Sequence, residues 1–249
     1  MKRLTYIFFI LLLLACNGEN VPNCFQNAGD IITKNVEVES FSKITVFQRT
    51  QLILKRGDEQ SVTVETGEFL MNDIDVYVQN DRLHLENNNA CNITRDYGIT
   101  RIFVTSPNIT EIRNSSGLTV LSQGTLTFPS LTLISEDFED EDAFHTDGDF
   151  DLDVLCEDMS IVVNNLSSVY LRGFVDTITI NYFAGDARFE GAGLLVNDAD
   201  IFQRSSNDMI INPQKSIKGE IRGTGDVILL NEPPVVDIEQ FYTGKLIVN

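Results

Sequence analysis

The feature that most constrains this chain is an alternation of apolar and polar residues with period two, which recurs from Val36 onward. Val36/Val38, Ile44/Val46, Leu52/Leu54, Val62/Val64, Ile74/Val76/Val78 and Leu83/Leu85 each mark one face of an extended segment. Turn signals such as Arg56-Gly57-Asp58 and Gln79-Asn80-Asp81 lie between them. The rhythm returns in Ile161/Val163, Val169/Leu171, Ile178/Ile180, Ala187/Phe189, Leu194/Val196 and Ile217. No stretch beyond residue 15 carries helical periodicity, so the chain is expected to be all-β.

Spacing separates the all-β architectures. Strand centres near residues 162, 170, 179, 188, 195, 202 and 210 are too close together for long hairpins. Gly173, Gly185-Asp186, Gly191, Asn197-Asp198 and Asn207-Asp208 are read as corners of a coil that turns the same way each time. Two or three such strands make one rung of a parallel β-helix or solenoid, stacked on the next at about 4.8 Å. An antiparallel β-sandwich is the alternative.

At the amino end, Lys2 and Arg3 precede the apolar run from Tyr6 to Leu14 and then Ala15-Cys16. The run falls short of the roughly 20 residues of a bilayer span and fits a secretory leader. Leu13-Leu14-Ala15-Cys16 resembles the bacterial lipobox, which implies cleavage after residue 15 and acylation of the Cys16 sulfur. Two or three acyl chains hold a protein on a membrane where one does not. Asn17 in place of Asp favours the outer membrane, by resemblance to Gram-negative lipoproteins. Residues 1–15 are thus read as a signal peptide, 16–35 as a lipid-anchored tether and 36–249 as the solenoid.

Export puts the other cysteines in an oxidising compartment. Cys156 shares the inward face of a strand with Leu152 and Val154, as a buried free thiol does. Cys24 and Cys91 sit in polar segments. A bridge between them would pin the tether to the domain, with a stabilisation of about 4 kcal/mol in the chain-entropy model. No CxxC pattern suggests redox chemistry.

Asp and Glu number 37 against 18 Lys and Arg, a formal charge of −19. That balance argues against nucleic acid as a partner, because phosphate binding needs a basic footprint. The densest acidic stretch runs from Glu136 to Asp153. Its Asp147-x-Asp149-x-Asp151 resembles the opening of an EF-hand loop, but Leu152 stands where that loop must turn on Gly. If extended, carboxylates two apart lie about 6.6 Å from each other, too far to ring one ion. The stretch is expected to be an outward acidic face with no metal, and a calcium site bridging rungs is the alternative.

Further residues carry the resemblance of the whole chain to a known family. They are Phe41-Ser42-Lys43-Ile44-Thr45-Val46, Asn89-Ala90-Cys91-Asn92-Ile93-Thr94-Arg95 and Phe202-Gln203-Arg204-Ser205-Ser206-Asn207-Asp208. The closing stretch from Ile217 to Val227, with Gly223-Thr224-Gly225 inside it, and then Glu232-Pro233-Pro234 is the most specific. Together they resemble the head-GIN domain, the putative auto-transporter adhesin head domain, over residues 24–249. The resemblance implies a right-handed parallel β-helix and a Cys24–Cys91 pair, and it carries over no active-site residues.

No catalytic constellation emerges from spacing. Gly191-Ala192-Gly193 and Gly223-Thr224-Gly225 lack phosphate-loop spacing and are read as corner glycines needing positive φ. Ser205 and Ser206 have no His nearby in sequence. His84 points away from the buried face, and His145 sits among acids. Asp149 and Asp151 would suit the carboxylate separation of a glycosidase, but so would any acids two apart on a strand. The chain also lacks Trp, the favoured sugar platform. The expectation is a non-enzymatic envelope lipoprotein, without cofactor, that recognises a glycan or another envelope protein. A polysaccharide hydrolase or lyase and an assembly partner at the outer membrane are the alternatives.

Overall fold

The computed structural model describes residues 26–89, 96–138 and 140–249. These form a single mixed sheet of seventeen strands. The first nine are short: β1 (Ile31–Val36), β2 (Lys43–Phe47), β3 (Gln51–Arg56), β4 (Ser61–Gly67), β5 (Ile74–Gln79), β6 (Arg82–Asn87), β7 (Arg101–Ser106), β8 (Glu111–Ser115) and β9 (Val120–Ser122). The long strands follow: β10 (Leu126–Ser135), β11 (Phe150–Asn165), β12 (Val169–Gly185), β13 (Phe189–Gln203) and β14 (Met209–Ile221). Three short strands close the stack, β15 (Val227–Leu229), β16 (Val235–Gln240) and β17 (Leu246–Val248). No α-helix occurs among the described residues. Cys16, Cys24 and Cys91 lie outside those residues.

Antiparallel pairing is confined to β1 with β4, β4 with β7, and β5 with β6. Every other pairing among the described strands is parallel, which an antiparallel sandwich does not accommodate. Residues 31–35, which the sequence reading placed in the tether, make up most of β1 and pair with β4.

The long strands correct the expectation of short strands seven to nine residues apart. Phe150 stands opposite Val169, Val169 opposite Phe189 and Phe189 opposite Met209, so one layer takes 19 or 20 residues. The ladder runs on past Gly173, Gly191 and Asn197-Asp198 instead of stopping there, whereas Gly185-Asp186 and Asn207-Asp208 do lie where strands end. At Glu157, Asp176 and Asn197 it loses one pair in each successive strand. There the alternation slips: Cys156 and Met159 are both buried with two outward residues between them, as are Val175 and Ile178. A slip of this kind bends the strand while its apolar side stays inside.

Inward side chains stack in columns. Phe150, Val169, Phe189, Met209 and Val227 form one column, and Ile161, Ile180 and Ile201 another, all buried. Burial of such side chains contributes roughly 1.5–3 kcal/mol each before entropy is counted. Tyr182 is fully buried in this core and satisfies its hydroxyl by donating to the Arg188 carbonyl at 3.2 Å.

Two groups of glycines act differently from the sequence reading. Gly191, Gly193, Gly223 and Gly225 are absent from the positive-φ residues. A Cβ at Gly225 would instead strike the Asn207 carbonyl oxygen one layer away, so close approach of backbones is what excludes a side chain. Gly173, at φ 109°, does hold a conformation that L-residues avoid.

Where the strands are short, the interior is partly polar. Asn87 donates to the Arg49 carbonyl (3.3 Å) and to Thr100 Oγ1 (3.2 Å). Its Oδ1 accepts from the backbone N–H and the side-chain amide of Asn89 at 3.0 and 2.9 Å. Thr100 in turn shares a hydrogen bond with Thr66 at 2.8 Å. Most of these groups pair with one another out of reach of water, and among the described residues only the Asn89 Oδ1 of this set has no partner.

Candidate functional site

The alternation that buries Leu83, Ile44, Ile112, Leu133, Ile161, Ile180 and Ile201 turns their neighbours outward. Reading across the ladder, His84 stands beside Thr45, Thr45 beside Arg113, and Arg113 beside Ile134. The row continues through Val162, Asn181, Phe202, Glu220 and Glu239. Nine adjacent strands therefore share one outer face, about 38 Å from first to last at a strand spacing of about 4.8 Å.

Aromatic rings and guanidinium groups cover this face. Tyr77 and His84 stack with centroids 4.8 Å apart and planes 2° from parallel. Phe47 lies 6.1 Å from His84 and 6.2 Å from Phe144. The Arg113 guanidinium lies 4.3 Å from the Phe144 ring centre. Arg113 is held from its other side by Glu136, with Nη2 donating to Oε1 at 2.6 Å and Nη1 to the Glu136 carbonyl at 2.7 Å. Both partners are buried, so the pair is rigid and either charge alone would be costly. Tyr77 donates to Glu86 at 2.6 Å, and this bond, more than burial, pushes the phenol up to about 12. Burial pushes the His84 imidazole down, and so favours its neutral form.

Further along the face, Phe138 meets Phe183 edge-on at 5.4 Å, and Phe183 meets Phe202 at 5.4 Å. Arg222 lies 3.9 Å over the Phe241 ring while its Nε holds Glu220. Phe138, Phe241 and Tyr242 are 59%, 50% and 66% exposed, far more than packing requires of rings this size. Two shallow clefts open here. Arg82, Glu111, Arg113, Phe138 and Phe183 line one of about 540 Å³. Phe202, Arg204, Glu220, Arg222, Phe241 and Tyr242 line the other, of about 520 Å³.

The residues singled out from sequence are not brought together. Cys156 is a buried free thiol, its pKa raised by burial, in the wall of a separate cleft with Phe128, Pro129 and Phe174. The acidic stretch is not the uniform outward face expected. Glu136 is buried against Arg113, because its partner arrives from a strand 23 residues earlier. Asp149 is half-buried, with its carboxyl raised chiefly by burial, and it accepts the Ser168 N–H at 2.7 Å. Asp151 pairs with Arg172. No group of three or more His, Cys, Asp or Glu converges among the described residues. Glu139 lies outside them.

Ser205 donates to the Ala187 carbonyl at 2.7 Å and Ser206 to Asp186 Oδ1 at 2.7 Å, so both hydroxyls tie adjacent layers together. His145 meets the Gln48 side-chain amide. The aromatic and arginine face was missed from sequence. Its signal is the layer offset: Phe183 and Phe202 are one layer apart, as are Arg204 and Arg222.

A family model described as "putative auto-transporter adhesin, head GIN domain" matches residues 40–233. The chain belongs to the head GIN domain family. Solved structures share the fold of this head GIN domain at low identity. A putative adhesin of Bacteroides fragilis superposes with a TM-score of 0.78 at 18% identity, covering 90% of this chain and 99% of that one. A putative lipid binding protein of Parabacteroides distasonis gives 0.63 at 13%, with coverage of 89% and 97%. A putative adhesin of Parabacteroides merdae gives 0.60 at 13%, with the same coverages. No curated protein matches the sequence.

Proposed function

We propose that this head GIN protein is a non-catalytic recognition or adhesion module of the cell envelope. Residues 1–15 are removed, acyl chains on Cys16 hold the product to the outer membrane, and a Cys24–Cys91 bridge ties the lead-in to the body. The body is a right-handed parallel β-helix that presents its outer face to a ligand. The single observation that carries this reading is the face itself: exposed rings and clamped guanidiniums along nine strands. Side chains already fixed by their neighbours lose little freedom on binding, which is how a recognition surface gains affinity. The adhesin description of the family and of two structural neighbours supports the same reading.

The test uses bacteria that express the full chain. Palmitate labelling and outer-membrane fractionation are expected to be lost with Cys16→Ala. Attachment of the cells to surfaces or to one another is expected to fall in Phe183→Ala/Phe202→Ala while the amount of protein stays constant. Attachment indifferent to both changes would overturn the reading. Glycan turnover abolished by Asp149→Ala would replace it with a hydrolase or lyase.

A further inference from the structure

Resting on the recognition reading above, we propose that the cleft of Phe202, Arg204, Arg222, Phe241 and Tyr242 binds an extended acidic polysaccharide, with the Arg204 guanidinium meeting a uronate carboxylate. Charge bookkeeping along the face is the first reason. Arg82, Arg113 and Arg222 are each paired, with Glu111, Glu136 and Glu220. Arg204 is exposed and, among the described residues, its side chain has no carboxylate partner. The chain has a formal charge of −19, and Glu220, the carboxylate that lines the same cleft, is already held by Arg222. That arrangement suits a ligand that brings carboxylates singly and well spaced. A densely charged phosphate or sulfate polymer would meet repulsion along most of the surface.

Ring chemistry is the second reason. The C–H faces of pyranose rings lie flat on aromatic side chains, and Phe241 and Tyr242 are the most open rings beside Arg204. Arg222 stacked over Phe241 fixes that ring before the ligand arrives. A planar guanidinium can hold a carboxylate with two parallel hydrogen bonds, a geometry that a lysine cannot reproduce.

Shape is the third reason. The face repeats with the strand spacing of about 4.8 Å, close to the length of one sugar unit, and it continues past Phe183 into the second cleft. A linear polymer lying across the strands can follow such a surface over several layers. The acid-recognising group is confined to one end.

The experiment titrates the full chain with hyaluronate and glucuronoxylan, whose uronates are separated by neutral sugars, and with dextran as the neutral control, by calorimetry. The uronates are expected to bind, and dextran to bind at least about tenfold more weakly. Arg204→Gln is expected to weaken uronate binding by about tenfold or more, Arg204→Lys to recover only part of it, and Tyr242→Ala to weaken uronate and dextran alike. Unchanged circular dichroism and melting temperature confirm that each variant folds. Equal binding of dextran, or uronate binding untouched by Arg204→Gln, overturns the proposal. If no polysaccharide binds while face-dependent cell attachment persists, the ligand is a protein: this inference falls and the recognition reading stands. Loss of both overturns both.

Discussion

Strands β1–β9 and strands β10–β14 close the same kind of core by different means. From β11 to β14 paired residues of successive strands are 17 to 21 apart in sequence, and apolar side chains stack on apolar side chains. The short-strand region has to reverse direction for its antiparallel pairs, and it spends interior positions on Asn87, Asn89, Thr66, Thr100 and Asn114. Asn114 alone donates to the carbonyls of Leu118 (2.9 Å) and Asp149 (2.8 Å) and accepts from Ser116. Regular repetition lets the hydrophobic effect dominate, with buried polar residues such as Ser135 and Gln203 at strand ends, whereas chain reversal inside a core needs side chains that can stand in for missing ladder partners.

The largest test of that contrast is Phe189→Ala, which empties the middle of a column between Val169 and Met209. It is expected to cost about 4 kcal/mol by urea denaturation, since flanking layers fixed by their own ladders cannot collapse into the space. A cost below that of the smaller Val104→Ala in β7 would erase the distinction between the regions. At the junction, Glu136→Ala is expected to cost about 3 kcal/mol by leaving Arg113 buried and unpaired. The double variant Arg113→Met/Glu136→Leu is expected to recover most of that loss in the same assay.

Within the polar interior, Asn87→Ala is expected to cost about 2 kcal/mol, because Asn89 and Thr100 lose a partner that water cannot replace. Faster amide exchange confined to strands β3–β7 would mark the short-strand region as a separate unit, and uniform acceleration would join it to the rest.

The smallest expected effect is at Asp149, whose carboxyl pKa is raised in the folded chain. A raised folded pKa adds stability at acid pH, below the unfolded value, and that contribution is lost as pH rises through the folded value. Near neutrality the ionised, half-buried group is therefore mildly unfavourable. Asp149→Asn keeps an oxygen for the Ser168 N–H and is expected to stabilise by a few tenths of a kcal/mol at pH 7, with no gain in acid.

The inward columns were legible because alternation is a local property: Ile44/Val46, Leu52/Leu54, Ile161/Val163 and Ile178/Ile180 are all buried as their spacing required. The length of the strands was not. Glu157-Asp158 and Asp176-Thr177 place two outward residues in succession, which reads as a loop although the ladder resumes at once. Strand β8 was silent for another reason. Its buried residues include Asn114 and Ser115 as well as Arg113, which Phe144 and Glu136 cover on the outer face, so burial there carries no hydrophobic signature. The aromatic and arginine face escaped notice because each Phe or Arg is an isolated residue in the chain. They become neighbours only when the chain is folded at the layer offset, just as Glu136 becomes a buried acid only when Arg113 arrives.

Because each layer of the long-strand region is bonded mainly to the one above and the one below, the molecule behaves as a gauge graduated in equal steps. Adding or deleting one such segment would change its reach by a single strand spacing and leave the chemistry of the remaining layers in place. Length and specificity can then be selected separately in descendants of one gene, a freedom that a globular core built from interlocking long-range contacts does not offer.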